Sequence, residues 1–292
     1  MRHYITTTIA LLCLLLLIPC HTLAAGDKKK GKKVKDESTL IFNLEPDARV
    51  APQKPQHILR PVQELGSVEN LMAGTASHKG SYGPHKAHSR GGIDVSHYQG
   101  AIDWKSVARS GTVLYAFCKA TENISYVDDT YHHNVREARR HGIPVGCYHF
   151  FNPHSPGAVQ FEHFKRTVDM KQLDVVPMLD VEVRGKASLK AFQDNVRSWL
   201  KAFEQTYHFK PMIYASLNFY NKYLAGAFDD YLYMIAKYGG DTPNPEGPIP
   251  FALWQFTASG RVSGIRGDVD KSCFIDHFDV KDILIKNQRT LK

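Results

Sequence analysis

The stretch "VVPMLDVEV", Val175 to Val183, places two carboxylates inside an otherwise apolar run. Side chains alternate across a strand. Val175, Pro177, Leu179, Val181 and Val183 therefore form one apolar face, while Val176, Met178, Asp180 and Glu182 share the other. Two residues of strand rise separate the acids by roughly 6.6 Å, close enough for each charge to disfavour ionisation of its neighbour. A strand ending in two such carboxyls suits proton transfer, although structural ion pairs also perturb acids. The flanking sequence decides between these readings.

Upstream and downstream, strand and helix patterns alternate. "GGIDVS" reads as a strand, and "DWKSVARSG" as a helix with Asp103 as N-cap and Gly111 as its stop. "TVLYAFCKAT" is the next strand, followed by a helix over Asp129 to His141 with Tyr131, Val135 and Ala138 on one face. "IPVGCYHFF" is a third strand. A helix from Ala158 to Met170 follows, carrying Phe161, Phe164 and Val168. After the opening stretch, Ser188 is positioned to cap a helix to Tyr207, with Leu189, Phe192, Val196, Trp199, Leu200 and Phe203 as its inward stripe. "KPMIYAS", "YLYMIAKY", "FALWQF" and "GDVDKS" then read as strands with little helix between them. Such alternation implies a parallel sheet, closed as a barrel or wound both ways, and places catalytic groups at the C-terminal ends of the strands. The expected fold is α/β: a small, irregular (β/α) barrel, TIM-like, with helices reduced in its C-terminal part. If it closes, Asp94 of the first strand and Asp270 of the last are neighbours across the mouth from Asp180 and Glu182. Four acids with aromatic residues suit the cleavage of a glycosidic bond.

These motifs together resemble the glycoside hydrolase family 25 lysozymes, the Chalaropsis-type N-acetylmuramidases. "DVSHYQGAIDW", "GCYHFF", "PMLDVEV", "PMIYAS" and "LWQFTASGRVSGIRGDVDKSCF" occur in that order over nearly all of residues 92–278. The resemblance implies cleavage of the bond between N-acetylmuramic acid and N-acetylglucosamine in peptidoglycan, without a cofactor. It makes Glu182 the proton donor and matches Asp180, Asp94 and Asp270 to the other pocket acids. Two roles stay open for Asp180: orienting the substrate's acetamido group for internal attack, or activating water. Tyr98, Tyr148, Tyr214, Trp254 and Gln255 fall within the matched motifs and are expected to line the pocket, with His149 a weaker candidate. A catalytically inactive glycan-binding barrel is the alternative, against which the presence of all four acids argues. A chitin-directed barrel with a D-x-x-D-x-D-x-E series is disfavoured, because Met178 occupies an upstream acid position.

The remaining composition bounds the setting. Arg2 and His3, the apolar run Ile9 to Ile18 and "TLAAG" (Thr22 to Gly26) have the order of a secretory signal, so 1–25 is expected to be a signal peptide and the protein to be exported. Cys20 after "LIP" leaves lipoprotein anchoring as a less favoured alternative, since Pro19 fits poorly before a lipidated cysteine. Residues 26–89 read as a Lys/Pro/Gly-rich linker, 90–286 as the catalytic barrel and 287–292 as a short tail. The formal charge of +8 is concentrated at the front: residues 1–88 carry 12 Lys+Arg against 7 Asp+Glu, and residues 89–292 carry 25 against 22. The run "KKKGKKVK" (Lys28 to Lys35) reads as a solvated tether, with attraction to an anionic bacterial envelope as the functional alternative. Without interleaved aromatics it does not suit nucleic acid. Cys118, Cys147 and Cys273 make no disulfide framework; buried apolar thiols are expected, with a single disulfide as the alternative. Among fifteen histidines, the adjacent His132 and His133 give no metal-ligand spacing, and no GxSxG or reactive-cysteine signature occurs. A monomer is expected.

Overall fold

The computed structural model describes residues 90–288. The expected signal, the linker with its lysine run, Cys13, Cys20 and residues 289–292 lie outside the described residues. Nine strands are present among those described: β1 (Gly91–Val95), β2 (Val113–Glu122), β3 (Tyr126–Val127), β4 (Val145–Phe150), β5 (Met178–Asp180), β6 (Met212–Ser216), β7 (Tyr233–Ala236), β8 (Phe251–Gly260) and β9 (Val269–Phe274). Eight close into a barrel in the order β1, β2, β4, β5, β6, β7, β8, β9 and back to β1, while β3 folds back onto the end of β2.

Strands β1 to β8 pair in parallel around the ring. β9 runs antiparallel to both β8 and β1 and corrects the expectation of a wholly parallel sheet. The physical reason is the connection: residues 261–268 form a short turn with no crossover helix, and a direct return yields an antiparallel neighbour. Helices α1 (Trp104–Arg109), α2 (Tyr131–Arg140), α3 (Gly157–Thr167) and α4 (Leu189–Tyr207) follow β1, β3, β4 and β5. After β6 only the short helical turns Leu217–Phe219 and Tyr220–Leu224 remain.

Local chemistry sets these boundaries. Asp103 accepts from the Ser106 amide at 3.1 Å and opens α1, and Ser188 accepts from the Ala191 amide at 3.2 Å and opens α4. Phe192, Val196, Trp199, Leu200 and Phe203 of α4 are buried as their spacing implies. Leu189 is not: it lies in the exposed stretch 186–191, ahead of the point where the helix meets the sheet. α3 and α4 approach so closely at Gly157 that a Cβ there would stand 2.2 Å from the Asn195 carbonyl oxygen. The contact is fixed by the Gly157 amide donating to Asn195 Oδ1 at 2.6 Å.

The opening stretch is a regular strand only over Met178–Asp180. Val175 makes a single bridge to Leu284, and the Val181 amide still donates to the Tyr214 carbonyl at 2.9 Å. Val183, expected on the apolar face, is exposed because the chain has left the sheet by then. Cys118, Cys147 and Cys273 are buried free thiols, the first two register partners on β2 and β4.

Candidate active site

The parallel strands end on one side of the barrel, where side chains enclose a cup of about 180 Å³. β1 contributes Asp94, β2 Lys119, β4 Tyr148 and Phe150, β5 Asp180, β6 Tyr214, β8 Gln255 and β9 Asp270. Glu182 stands two residues beyond Asp180, and Tyr98 projects at the rim. Antiparallel pairing makes Asp94 and Asp270 register partners, so closure of the barrel brings the two ends of the domain together at the cup.

Four carboxyls sharing a small, poorly hydrated space cannot all ionise at the usual carboxylate pH. Burial, and then the charge of Asp270, push Asp94 up to about 8 despite a lowering hydrogen bond from Gln255. Burial and the charge of Glu182 push Asp270 up to about 6. Asp180 is raised well above the ordinary range, first by burial and then by the charge of Glu182 and a hydrogen bond to it. Glu182 is open to solvent on its outer side, yet the surrounding walls desolvate its carboxyl enough to raise it as well.

Gln255 organises the opposite wall. Its Oε1 accepts from Tyr214 at 2.9 Å and from Tyr238 at 2.7 Å, and its Nε2 donates to Asp94 Oδ2 at 2.8 Å. Every polar atom of the amide is therefore committed to holding the Asp94 carboxylate in one orientation. Asp94 Oδ1 and Asp180 Oδ1 are buried without a hydrogen-bond partner among the described residues. Both lie in the cup, where a substrate hydroxyl or amide could reach them.

The sequence reading did not single out Lys119, which lines the cup, or Tyr238, which bonds a lining residue from behind. Lys119 is a buried cation whose Nζ meets Glu122 at 2.6 Å and lies 5.3 Å from the ring centroids of both Tyr126 and Phe150. Its charge opposes the rise of Asp180. Tyr238 reaches Gln255 from the loop after β7. A lysine within the apolar run "VLYAFCKAT" carried the same signal as Asp180 in its strand, whereas a loop tyrosine carries none.

Two candidates stand elsewhere. Trp254 is not among the residues lining the cup: its indole is buried and its Nε1 donates to the Lys237 carbonyl at 2.9 Å. As strand neighbours, Trp254 and Gln255 face opposite ways, and Gln255 takes the inward position. His149 is fully buried behind the cup, between Thr121 Oγ1 at 2.7 Å and Gln160 Oε1 at 3.2 Å. Burial pushes its imidazole down to about 3, which keeps it a neutral packing group. Among the described residues, no group of three His, Cys, Asp or Glu side chains is placed to hold a metal.

Comparison with known proteins bears on this arrangement. The family model of glycosyl hydrolases family 25 matches residues 93–265, from β1 into the turn before β9, so Asp270 joins the site by strand pairing beyond that match. The uncharacterized protein YegX of Escherichia coli K12 is 41% identical over 187 residues, 63% of this chain and 68% of that one. Lysozyme M1 of Streptomyces globisporus is 30% identical over 261 residues, 81% of this chain and 87% of that one. A family 25 glycosyl hydrolase from Bacillus anthracis superimposes with a TM-score of 0.61 at 26% identity, covering 71% of this chain and 97% of that one. With the barrel, the acid-lined cup and these matches in agreement, the chain belongs to glycosyl hydrolases family 25.

Proposed function

We propose that this protein is an exported lysozyme hydrolysing the β-1,4 bond between N-acetylmuramic acid and N-acetylglucosamine in peptidoglycan, with Glu182 protonating the leaving oxygen. Membership of a glycoside hydrolase family and similarity to Lysozyme M1 support the reaction class and the polymer. The single observation that carries the assignment within the cup is the Asp180–Glu182 pair, two carboxyls lining one cup and both raised above the ordinary range, together with the Asp94–Asp270 pair.

A general acid must hold a proton at the pH where it works. The pair does so because the other acids and the enclosing walls penalise a second negative charge. Before substrate enters, the two carboxyls hold a proton between them. Glu182, the more solvent-facing of the two, is the one placed to meet a glycosidic oxygen entering from the mouth. With the proton on Glu182, Asp180 is anionic, and Glu182 passes its proton to the leaving oxygen as the bond to the leaving sugar breaks. An anionic Asp180 can steady the substrate's acetamido group for internal attack or orient a water molecule. Asp94, held by Gln255, and Asp270 oppose the pair and keep the proton within the cup. Tyr148 and Tyr214 contribute apolar walls for the sugar rings.

Residues 1–25 act as the export signal and 26–89 as a tether whose lysines draw the monomeric enzyme toward an anionic envelope, with anchoring through Cys20 as the alternative. Residues 90–286 form the catalytic barrel and 287–292 a short tail. Digestion of purified peptidoglycan, borohydride reduction and mass spectrometry test the bond assignment. Products ending in reduced N-acetylmuramic acid are expected. Products ending in reduced N-acetylglucosamine would assign cleavage to the other glycosidic linkage.

A further inference from the structure

Beside the cup lies a second, larger hollow of about 730 Å³, bounded by residues 98–103 and 264–266. Tyr98 lines both, so the two spaces meet at a single partition. The partition is held: the Tyr98 ring packs on His97 with centroids 4.1 Å apart, and His97 Nδ1 meets Asp128 Oδ2 at 2.7 Å. Tyr98 itself is 82% exposed, standing between the cup and the groove with most of its surface free for a ligand.

The groove is built rather than incidental. Ile102 and Ile265 form an apolar floor, each nearly buried. Its two loops are joined where the Asp103 amide donates to the Gly264 carbonyl at 2.9 Å and where Gln99 Nε2 donates to the Asp268 carbonyl at 3.2 Å. Gly264 has φ +94, and a Cβ there would lie 2.4 Å from the Asp103 carbonyl oxygen, so this approach requires glycine.

Its charges are unequal in availability. Asp103 is committed to the start of α1, accepting from the Ser106 amide at 3.1 Å and from Ser106 Oγ at 2.6 Å. Arg261 on the same turn is paired with Asp268 at 3.1 Å. Arg266 is exposed and has no ion-pair partner among the described residues. A groove with an apolar floor and one uncommitted guanidinium suits a short peptide bearing a carboxylate better than a neutral sugar.

We propose that this groove is a subsite for the stem peptide of the substrate, with Arg266 pairing one of its carboxylates across the floor made by Ile102 and Ile265. The inference rests on the peptidoglycan reading above. In that polymer the peptide hangs from the lactyl ether of the muramyl sugar. Because Tyr98 borders both spaces, the groove adjoins the cup and lies within reach of a peptide leaving a muramyl residue bound there. Tyr98 would divide the sugar in the cup from the peptide in the groove, and the enzyme would favour strands that still carry their peptides.

The test compares the full chain, Arg266→Glu and Arg266→Lys on two substrates: intact peptidoglycan, and glycan strands stripped of stem peptides by an amidase. The wild type is expected to show the higher kcat/KM on the intact polymer. Arg266→Glu should lose about fivefold there, the scale of one exposed charge contact, and match the wild type on stripped strands. Arg266→Lys should recover part of the loss. Equal rates for wild type and Arg266→Glu on both substrates would overturn the inference. An equal fall on both would overturn it too, since the groove would then hold sugar. No release from either substrate by the wild type would overturn the hydrolytic reading and this inference with it.

Discussion

Replacing Asp94 by Asn is expected to make the folded protein more stable at alkaline pH while abolishing its proper function. Asp94 is 6% exposed, and the folded protein holds its proton up to about pH 8, whereas an unfolded chain releases it near 3.8. Because the folded state binds this proton more tightly, its contribution to stability is fully present below about pH 4. It is lost as the pH rises through 8. Full ionisation over that interval corresponds to roughly 6 kcal/mol, an upper value because local relaxation admits water. Asn keeps the shape and can accept from Gln255 Nε2 as Asp94 Oδ2 does, but has no proton to lose. Urea unfolding at pH 5 and pH 9 reads the difference. The stability of Asp94→Asn relative to wild type should rise by about 2–4 kcal/mol between the two values. An unchanged difference, or one moving the other way, would refute the claim that the cup stores an unfavourable cluster of acids.

Substitution of Gly157 by Ala should lower stability by about 1–3 kcal/mol, since the new methyl would strike the Asn195 carbonyl and Ser198 Oγ between α3 and α4; an unchanged thermal midpoint would contradict this packing. Replacing Lys119 by Met removes a positive charge that favours ionised Asp180, so the alkaline limb of kcat/KM should move to higher pH. A limb that stays in place or moves down would show that Lys119 does not bear on the pair.

The features legible in the sequence were those set by local or topological rules. Asp103 and Ser188 each declare a helix start through their own side chains, and both do so here. Neighbourhood of Asp94 and Asp270 followed from barrel closure alone, because the first and last strands of a closed sheet must pair. The direction of β9 depended on a quantity equally visible but unused, the shortness of residues 261–268. Within β8, the motif identified Trp254 and Gln255 together, but only the pleat separates the inward amide from the indole bonded to Lys237. Val183 and Leu189 were misplaced because periodicity continues in the sequence after the chain has left the core. Tyr238 had no local signal, since its position is set by the Gln255 amide 17 residues later.

The central claim, that Glu182 protonates the leaving sugar from the acid-lined cup, is tested most directly by the rate of reducing-end release from purified peptidoglycan by wild type and Glu182→Gln. The substitution keeps the shape of the side chain and removes its proton. Release should fall by about 10²–10⁴-fold, the usual contribution of a general acid, while cosedimentation with peptidoglycan is retained. A Glu182→Gln enzyme that releases reducing ends within a few-fold of the wild-type rate would contradict the account.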